Sequence, residues 1–346
     1  MAKKKRSKLS SVTYQHLNIQ GFSDSKFDLI ENLLESDDNC SKIFCISETH
    51  LNSAKPDDLY RIRNYALYRK DRSKAWGKAK GGGLLVYVPS HIPSEEVSRS
   101  ETNTHCETLW LKLRFGIRKV LLGLLYRSPD SNAFDTEFLF NHVDEVLTKH
   151  SDCDFVISGD INIDISNAFS PYYRHIHRLM DNFDLVDKVV GPTRVAHRST
   201  KSGLVSCSAT KIDIMLCSPA SDYSACPAED VYYSDHRLCF AKANYKAAVP
   251  THETVCFRLW SHTPEEKFLQ LVSQVAEKYA VIDSEDVSSV IGSFVADLTQ
   301  VVDECFPKRS RRVRRTEPPW MNSEVKTLIK NKDDAYRRKC QSRGTP

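Results

Sequence analysis

The sequence of 346 residues has 11 cysteines but no Cys-x-x-Cys pair, so the usual zinc knuckle or ribbon is excluded. It has no apolar run near the roughly 20 residues that a membrane-spanning helix needs. No apolar stretch follows the basic start Lys3-Lys4-Lys5-Arg6, so no secretory leader is expected. No internal repeat is found. An excess of one sign of charge is lacking: 49 basic against 45 acidic residues leave a net balance of only +4, too small to name a partner. These absences lead us to expect a soluble, reduced, intracellular chain, with Cys45 and Cys153 as free thiols in or beside apolar strands.

The distribution of charge says more than its sum. Lys308-Arg309-Ser310-Arg311-Arg312-Val313-Arg314-Arg315 has six basic residues in eight. Such runs suit nuclear import or contact with a phosphate backbone; a solvated, disordered end is the plainer reading. Apolar and β-branched runs predict strands at 12–17, 42–47, 83–88, 108–113, 120–126, 154–158, 212–217 and 237–243. Between them, Phe27, Ile30, Leu33 and Leu34 fit one helix face, and Phe138, Val143, Val146 and Leu147 another. A third helix is predicted near 172–183, and the Ser-, Thr- and Gly-rich stretch 197–208 reads as a loop. Strands with interleaved helices predict an α/β, or α+β, two-sheet sandwich flanked by helices. Past about residue 246 the pattern changes to helices at 264–279, 287–302 and 323–338, with no strands between them. The expected organisation is a basic disordered start (1–10), one large domain (11–246) and a helical, basic extension (247–346).

Six polar motifs close the apolar runs in one order. They are Leu17-Asn18-Ile19, Ser47-Glu48-Thr49-His50, Tyr126-Arg127-Ser128-Pro129, Ser158-Gly159-Asp160-Ile161-Asn162, Lys211-Ile212-Asp213 and Ser234-Asp235-His236. Each alone is weak: Gly-Asp-x-Asn is often only a strand-ending turn. Together they supply carboxylates for a hard cation, amide and phenol donors for a phosphate, and a histidine with an aspartate to orient it. That is the inventory of a metal-assisted phosphodiesterase. Alternation along an extended segment would point Asp160 and Asn162 to one side. Histidines such as His16, His50 and His142 are expected to be structural or exposed.

These motifs resemble the endonuclease/exonuclease/phosphatase superfamily, which includes DNase I and the abasic-site repair endonucleases. The phrases around Ile46-Ser47-Glu48-Thr49-His50-Leu51, Gly81-Gly82-Gly83, Leu125–Pro129 and Pro192-Thr193-Arg194 are more similar to the endonuclease region of LINE-type non-LTR retrotransposons. The resemblance covers roughly residues 10–245. Pro318-Pro319-Trp320-Met321-Asn322 is similar to the link that precedes a reverse transcriptase.

The resemblance implies a four-layer DNase I-like fold and a Mg2+ cofactor, replaceable by Mn2+. It implies Glu48 as the main metal ligand, with Asp235 and Asn18 on the metal side. Asp160 would activate water or protonate the leaving oxygen. Asn162 and Tyr126 would donate to the phosphate, and Asp213 would orient His236. Thr210 would sit near the phosphate and Thr193 at the DNA backbone. Gln20 stands where repair enzymes often have an aspartate, which leans away from that group. The implied partners are double-stranded DNA and the RNA of a parent element, with no membrane, for a monomeric nuclear nicking enzyme that leaves a 3′ hydroxyl. Repair of abasic DNA, hydrolysis of another phosphate ester, and a non-catalytic nucleic-acid-binding remnant stay open as alternatives.

Overall fold

The computed structural model describes residues 8–36, 40–71, 81–100, 105–199, 205–249, 252–260, 265–280, 287–314 and scattered positions between 324 and 335. The chain falls into two compact units, one built on residues up to Val249 and one on Pro250–Thr327. The first unit runs β1 (Lys8–Asn18), α1 (Asp24–Glu35), β2 (Cys40–Ser47), β3 (Tyr65–Lys70), β4 (Leu84–Pro89), β5 (Ser94–Arg99), β6 (Cys106–Phe115) and β7 (Arg118–Arg127). It continues with α2 (Ala133–Lys149), β8 (Asp154–Asp160), α3 (Tyr173–Asn182), β9 (Val186–Asp187), β10 (Val189–Val190), β11 (Arg194–Ser199) and β12 (Val205–Thr210). It ends with β13 (Asp213–Ser218), β14 (Tyr223–Ser224), β15 (Cys226–Pro227) and β16 (Cys239–Val249).

Two six-stranded mixed sheets form the body, in the orders β14-β16-β1-β2-β4-β3 and β5-β6-β7-β8-β13-β9. Strand alternation sorts each strand into two faces. On β1, Val12 and Tyr14 enter the core between the sheets, while Leu17 turns outward to meet Ile30 and Leu34 of α1. On β7, Leu122 and Leu124 face inward, and Leu121 and Leu125 face Leu139, Val143 and Leu147 of α2. The result is four layers, helix on sheet on sheet on helix, as the α/β sandwich expectation required. Each fully buried Val or Leu in these layers contributes roughly 1.5–3 kcal/mol. Local sequence starts the helices where they must start. Ser23 caps α1, and Asn132 with Asp135 forms a reciprocal capping box on α2.

Several expectations need correction. Lys8–Ser10 are not a disordered lead but the first rungs of β1, paired with Ala247–Val249 of β16. The stretch 197–208 is not simply a loop, since β11 and β12 pair antiparallel there. Phe138 is half exposed; α2 buries Leu139 and Phe140 instead. The region after Val249 is not purely helical. The second unit has β17 (His252–Phe257), α4 (Glu265–Ala280), α5 (Val287–Cys305) and β18 (Arg309–Arg314), with β17 and β18 paired antiparallel. Its helices share a small core of Val301, Cys305 and Phe306 with Phe268, Leu271 and Val275. Pro318–Asn322 lie outside the described residues, and so does most of 323–338.

Candidate active site

The inward rows of both sheets turn polar at one end. On β1 the row Val12, Tyr14 continues as His16 and Asn18; on β7 it reaches Tyr126; on β8 Val156 leads to Ser158 and Asp160; on β13 it begins with Asp213. Parallel pairing sets Tyr126 beside Asp160, and antiparallel pairing sets Asp213 directly across from Asp160. Three distant segments of sequence thus meet because β7, β8 and β13 are neighbours in one sheet.

Asn18 is the cross-link between the sheets. Its Nδ2 donates to Glu48 Oε1 at 3.0 Å and to Asp160 Oδ2 at 2.8 Å, while its Oδ1 accepts from the Gln20 amide at 3.1 Å. The Tyr126 hydroxyl also donates to Glu48 Oε1, at 3.0 Å. Glu48 Oε2 has His50 Nε2 3.5 Å away. Burial pushes the Glu48 carboxyl up, but the nearby His50 ring and the hydrogen bonds from Asn18 and Tyr126 outweigh it and hold the group below its usual value. Burial and the nearby Glu48 and Asp160 raise the Tyr126 phenol, which keeps it a proton donor.

The backbone at Glu48 is held in an unusual shape. Glu48 and His50 have φ of 53° and 55°, in the left-handed region that side chains seldom adopt. The glycine run fixes this turn: the carbonyls of Gly83 and Gly82 accept from the amides of Thr49 and His50 at 3.1 and 3.0 Å. A Cβ on Gly83 would stand 2.4 Å from the Thr49 hydroxyl, at a φ of +92°. Gly159 has a comparable duty before Asp160, since its Cβ would lie 1.9 Å from the Leu125 carbonyl. Both glycines let backbones approach closely where a carboxylate is to be presented.

On the other side of Asp160, His236 Nδ1 donates to Asp213 Oδ2 at 2.8 Å, and its Nε2 lies 3.9 Å from Asp160 Oδ2 and 3.8 Å from Asp235 Oδ1. Burial opposes charge on His236, but Asp213, Asp160 and Asp235 overcome it and raise the ring to about 9. Burial, then Asp213, raises Asp160 to about 7, against His236 and two hydrogen bonds. Asp235 is partly exposed, and its Oδ2 accepts from Arg194 Nε at 3.0 Å and Nη2 at 2.9 Å. Ser234 ties this loop to β1 by donating to the Asn18 carbonyl at 2.7 Å.

Asn162 does not follow Asp160 on an extended row. Its φ is 48°, its amide closes a turn on Asp160 Oδ1 at 3.0 Å, and its Nδ2 donates to the Arg127 carbonyl at 2.8 Å. The Asx turn and the site residue are therefore the same feature. Thr193 is not at a DNA-facing surface. It is fully buried, and its Oγ1 accepts from the amides of Ile212 and Asp213 at 3.1 and 3.0 Å. Thr193 positions Asp213 from behind. Thr210 is half-buried and ends β12 opposite Arg194.

His16, expected from the sequence to be structural or exposed, stands directly beside the site. It is fully buried, with Nε2 3.1 Å from Ser47 Oγ and Nδ1 3.7 Å from Asp213 Oδ1. Burial lowers it to about 4, so it is neutral and packs against the far side of Asp213. Its position two residues before Asn18, on the same strand face, is the signal that could have found it.

The donor set fits a hard cation. Asp213 Oδ1 and Asp235 Oδ1 are buried without a hydrogen-bond partner among the described residues, and four carboxylates crowd one place. Ligand atoms of Asp160, Asp213 and His236 lie within 4.8 Å of one another. A His236 ring that is protonated and bonded to Asp213 is a poor ligand, however. Carboxylate oxygens such as Glu48 Oε2 and Asp235 Oδ1 suit a divalent ion better. Asn18, with its amide spent on Glu48, Asp160 and Gln20, orients Glu48 and Asp160.

The two-sheet sandwich, with carboxylates, an amide, a phenol and a His–Asp pair gathered at one end, has the DNase I-like fold. Among solved structures the chain is similar to the endonuclease domain of TRAS1, a telomere-specific non-LTR retrotransposon. The TM-score is 0.51 at 13% identity, over 68% of this chain and 99% of that one. An AP endonuclease from Archaeoglobus fulgidus gives 0.48 at 14% identity, over 68% and 100%. An endonuclease/exonuclease/phosphatase family protein from Bacteroides thetaiotaomicron gives 0.47 at 15%, over 68% and 97%. No protein-family model and no curated protein sequence matches the chain.

Proposed function

We propose that this protein is a magnesium-dependent endonuclease of retrotransposon origin that nicks one strand of duplex DNA in the nucleus and leaves a 3′ hydroxyl. The observation that carries this reading is the convergence of Asn18, Glu48, Tyr126, Asp160, Asp213 and His236 from separate strands and the loops beside them on one polar end of the sandwich. The nuclease is assigned to the expected residues 11–246 together with the paired rungs Lys8–Ser10 and Ala247–Val249 that complete β1 and β16, and the remainder to a linker of the kind that precedes a reverse transcriptase.

Glu48, with Asp235, would hold Mg2+, or Mn2+ in its place; the ion would offset charge on the phosphate and on the leaving oxygen. Asp160, raised close to neutrality, is suited to take a proton from the attacking water. The new P–O bond forms from that water as the P–O3′ bond breaks with its electron pair on O3′, which takes up a proton from solvent, giving a 5′ phosphate and a 3′ hydroxyl. His236, charged and anchored by Asp213, can donate to a phosphate oxygen where negative charge develops. Tyr126 supplies a second neutral donor.

Incubation of the purified chain with supercoiled plasmid and Mg2+ tests the reading, with an abasic duplex and a soluble phosphate ester in parallel. Conversion of intact plasmid to open circle is expected. A folded protein that leaves plasmid intact while hydrolysing either of the other substrates would overturn it.

A further inference from the structure

Strand β18 has four arginines in six residues, Arg309, Arg311, Arg312 and Arg314, and no acid. It pairs along its whole length with β17, from His252 opposite Arg314 to Phe257 opposite Arg309. Alternate strand positions belong to opposite faces, so arginine occurs at positions of both faces. The one acid of β17, Glu253, stands opposite Val313. Several arginines of the first unit are held by carboxylates: Arg69 by Asp57 and Asp71, Arg118 by Asp154 and Asp222, Arg194 by Asp235, Arg237 by Asp230. Arg309 and Arg311 are exposed and have no acidic partner among the described residues. The ribbon is also anchored. Arg258, just after β17, donates to the carbonyls of Val302 and Phe306 and pairs with Asp303, and Trp260 packs on Phe306 with ring centroids 4.5 Å apart. A basic run fixed to a folded base is pre-organised, and loses less freedom on binding than a loose tail.

We propose that the β17–β18 ribbon is a second DNA-binding element, which lays its arginines against the phosphates of duplex DNA independently of the cleavage chemistry. The proposal rests on the nuclease reading for the choice of DNA as the polyanion. Shape supports that choice. A two-stranded ribbon of six-residue strands is about 20 Å long and fits the major groove of B-form DNA, roughly 12 Å wide. The deep, narrow major groove of duplex RNA does not admit it.

The test uses the full chain with Glu48→Gln in the background, so that DNA survives the measurement. Binding to a fluorescent 30-base-pair DNA duplex is followed by anisotropy between 50 and 200 mM salt. Three proteins are compared: the parent, a variant with Arg309, Arg311, Arg312 and Arg314 all replaced by serine, and one with all four replaced by lysine. The serine variant is expected to bind at least about tenfold more weakly at 150 mM salt, with a salt slope shallower by about 2 to 4, because each lost phosphate contact removes roughly 0.9. The lysine variant keeps the charge and should keep most of the affinity, which separates a lost contact from a lost fold. Unchanged affinity and slope in the serine variant would overturn the proposal. So would an equal loss in the lysine variant, or duplex RNA that binds as tightly as DNA and loses as much. Plasmid nicking by the protein with Glu48 intact is read separately, so failure there leaves the ribbon standing.

Discussion

The two ends of the space between the sheets are built from the same strands and behave oppositely. At one end Val12, Tyr14, Val120, Leu122 and Val156 close a dry core. At the other the same inward rows present His16, Asn18, Tyr126, Asp160 and Asp213, equally buried but polar. The dry end gains free energy from burial. The polar end accepts an unfavourable crowding of carboxylates, seen in the raised Asp160, and offsets it with His236, Asn18 and Tyr126. A sandwich can carry a reactive site because one end supplies the stability that the other consumes.

The largest break in this contrast should come from Glu48→Gln. It removes the charge suited to the cation while the partly exposed side chain contributes little to packing. Nicking should fall by on the order of 1000-fold with an unchanged melting temperature. Near-normal rates at saturating Mg2+ would remove Glu48 from the metal site. Next, His236→Ala should slow nicking by roughly 100-fold or more, and Asp213→Asn by less. If the pair acts as one unit, the double variant will be little worse than His236→Ala alone. Fully multiplicative losses would mean that Asp213 acts elsewhere.

Stability should respond in the opposite sense. Leu122→Ala at the dry end is expected to cost about 2–5 kcal/mol, measured by denaturant unfolding, with little change in the rate of the protein that remains folded. A normal unfolding midpoint would show the inter-sheet packing to be looser than described. Asp160→Asn is expected to abolish nicking yet stabilise the fold modestly. The unfolded chain releases this proton near pH 4, whereas the folded chain retains it to about 7, so the group withdraws stability as pH rises across that window. The variant should melt above the parent at pH 8, and the gap should close toward pH 4. A gap independent of pH would contradict the buried, charge-crowded setting of Asp160.

Much of the site was legible because side chains that end apolar runs are forced to one of two faces. Asn18, Glu48, Tyr126, Asp160, Asp213 and His236 stand together in the structure: Asn18, Tyr126 and Asp160 at or near strand ends, Glu48 just past β2, Asp213 at the start of β13 and His236 in the loop before β16. His16 is buried, as the structural reading of it allowed, but its place behind Asp213 was not legible, because an isolated histidine in a strand carries no motif. Thr193 was misjudged, since sequence says nothing about which way a hydroxyl turns. It serves the backbone of Asp213 rather than a surface. The strands β11, β12, β17 and β18 were missed because serine, threonine and arginine give no apolar alternation; their pairing is set by backbone partners.

The sequence alone determined the alternating rows, the helix starts and the chemical types at the strand ends, since these follow from local periodicity and capping. Only the tertiary structure decided which carboxylate oxygens accept from Asn18, that Gly82 and Gly83 clamp the left-handed turn at Glu48, and that Asp213 lies between His236 and His16. Those are relations between residues tens to hundreds of positions apart. Their geometry arises from strand register and sheet packing, which no single segment of the chain encodes by itself.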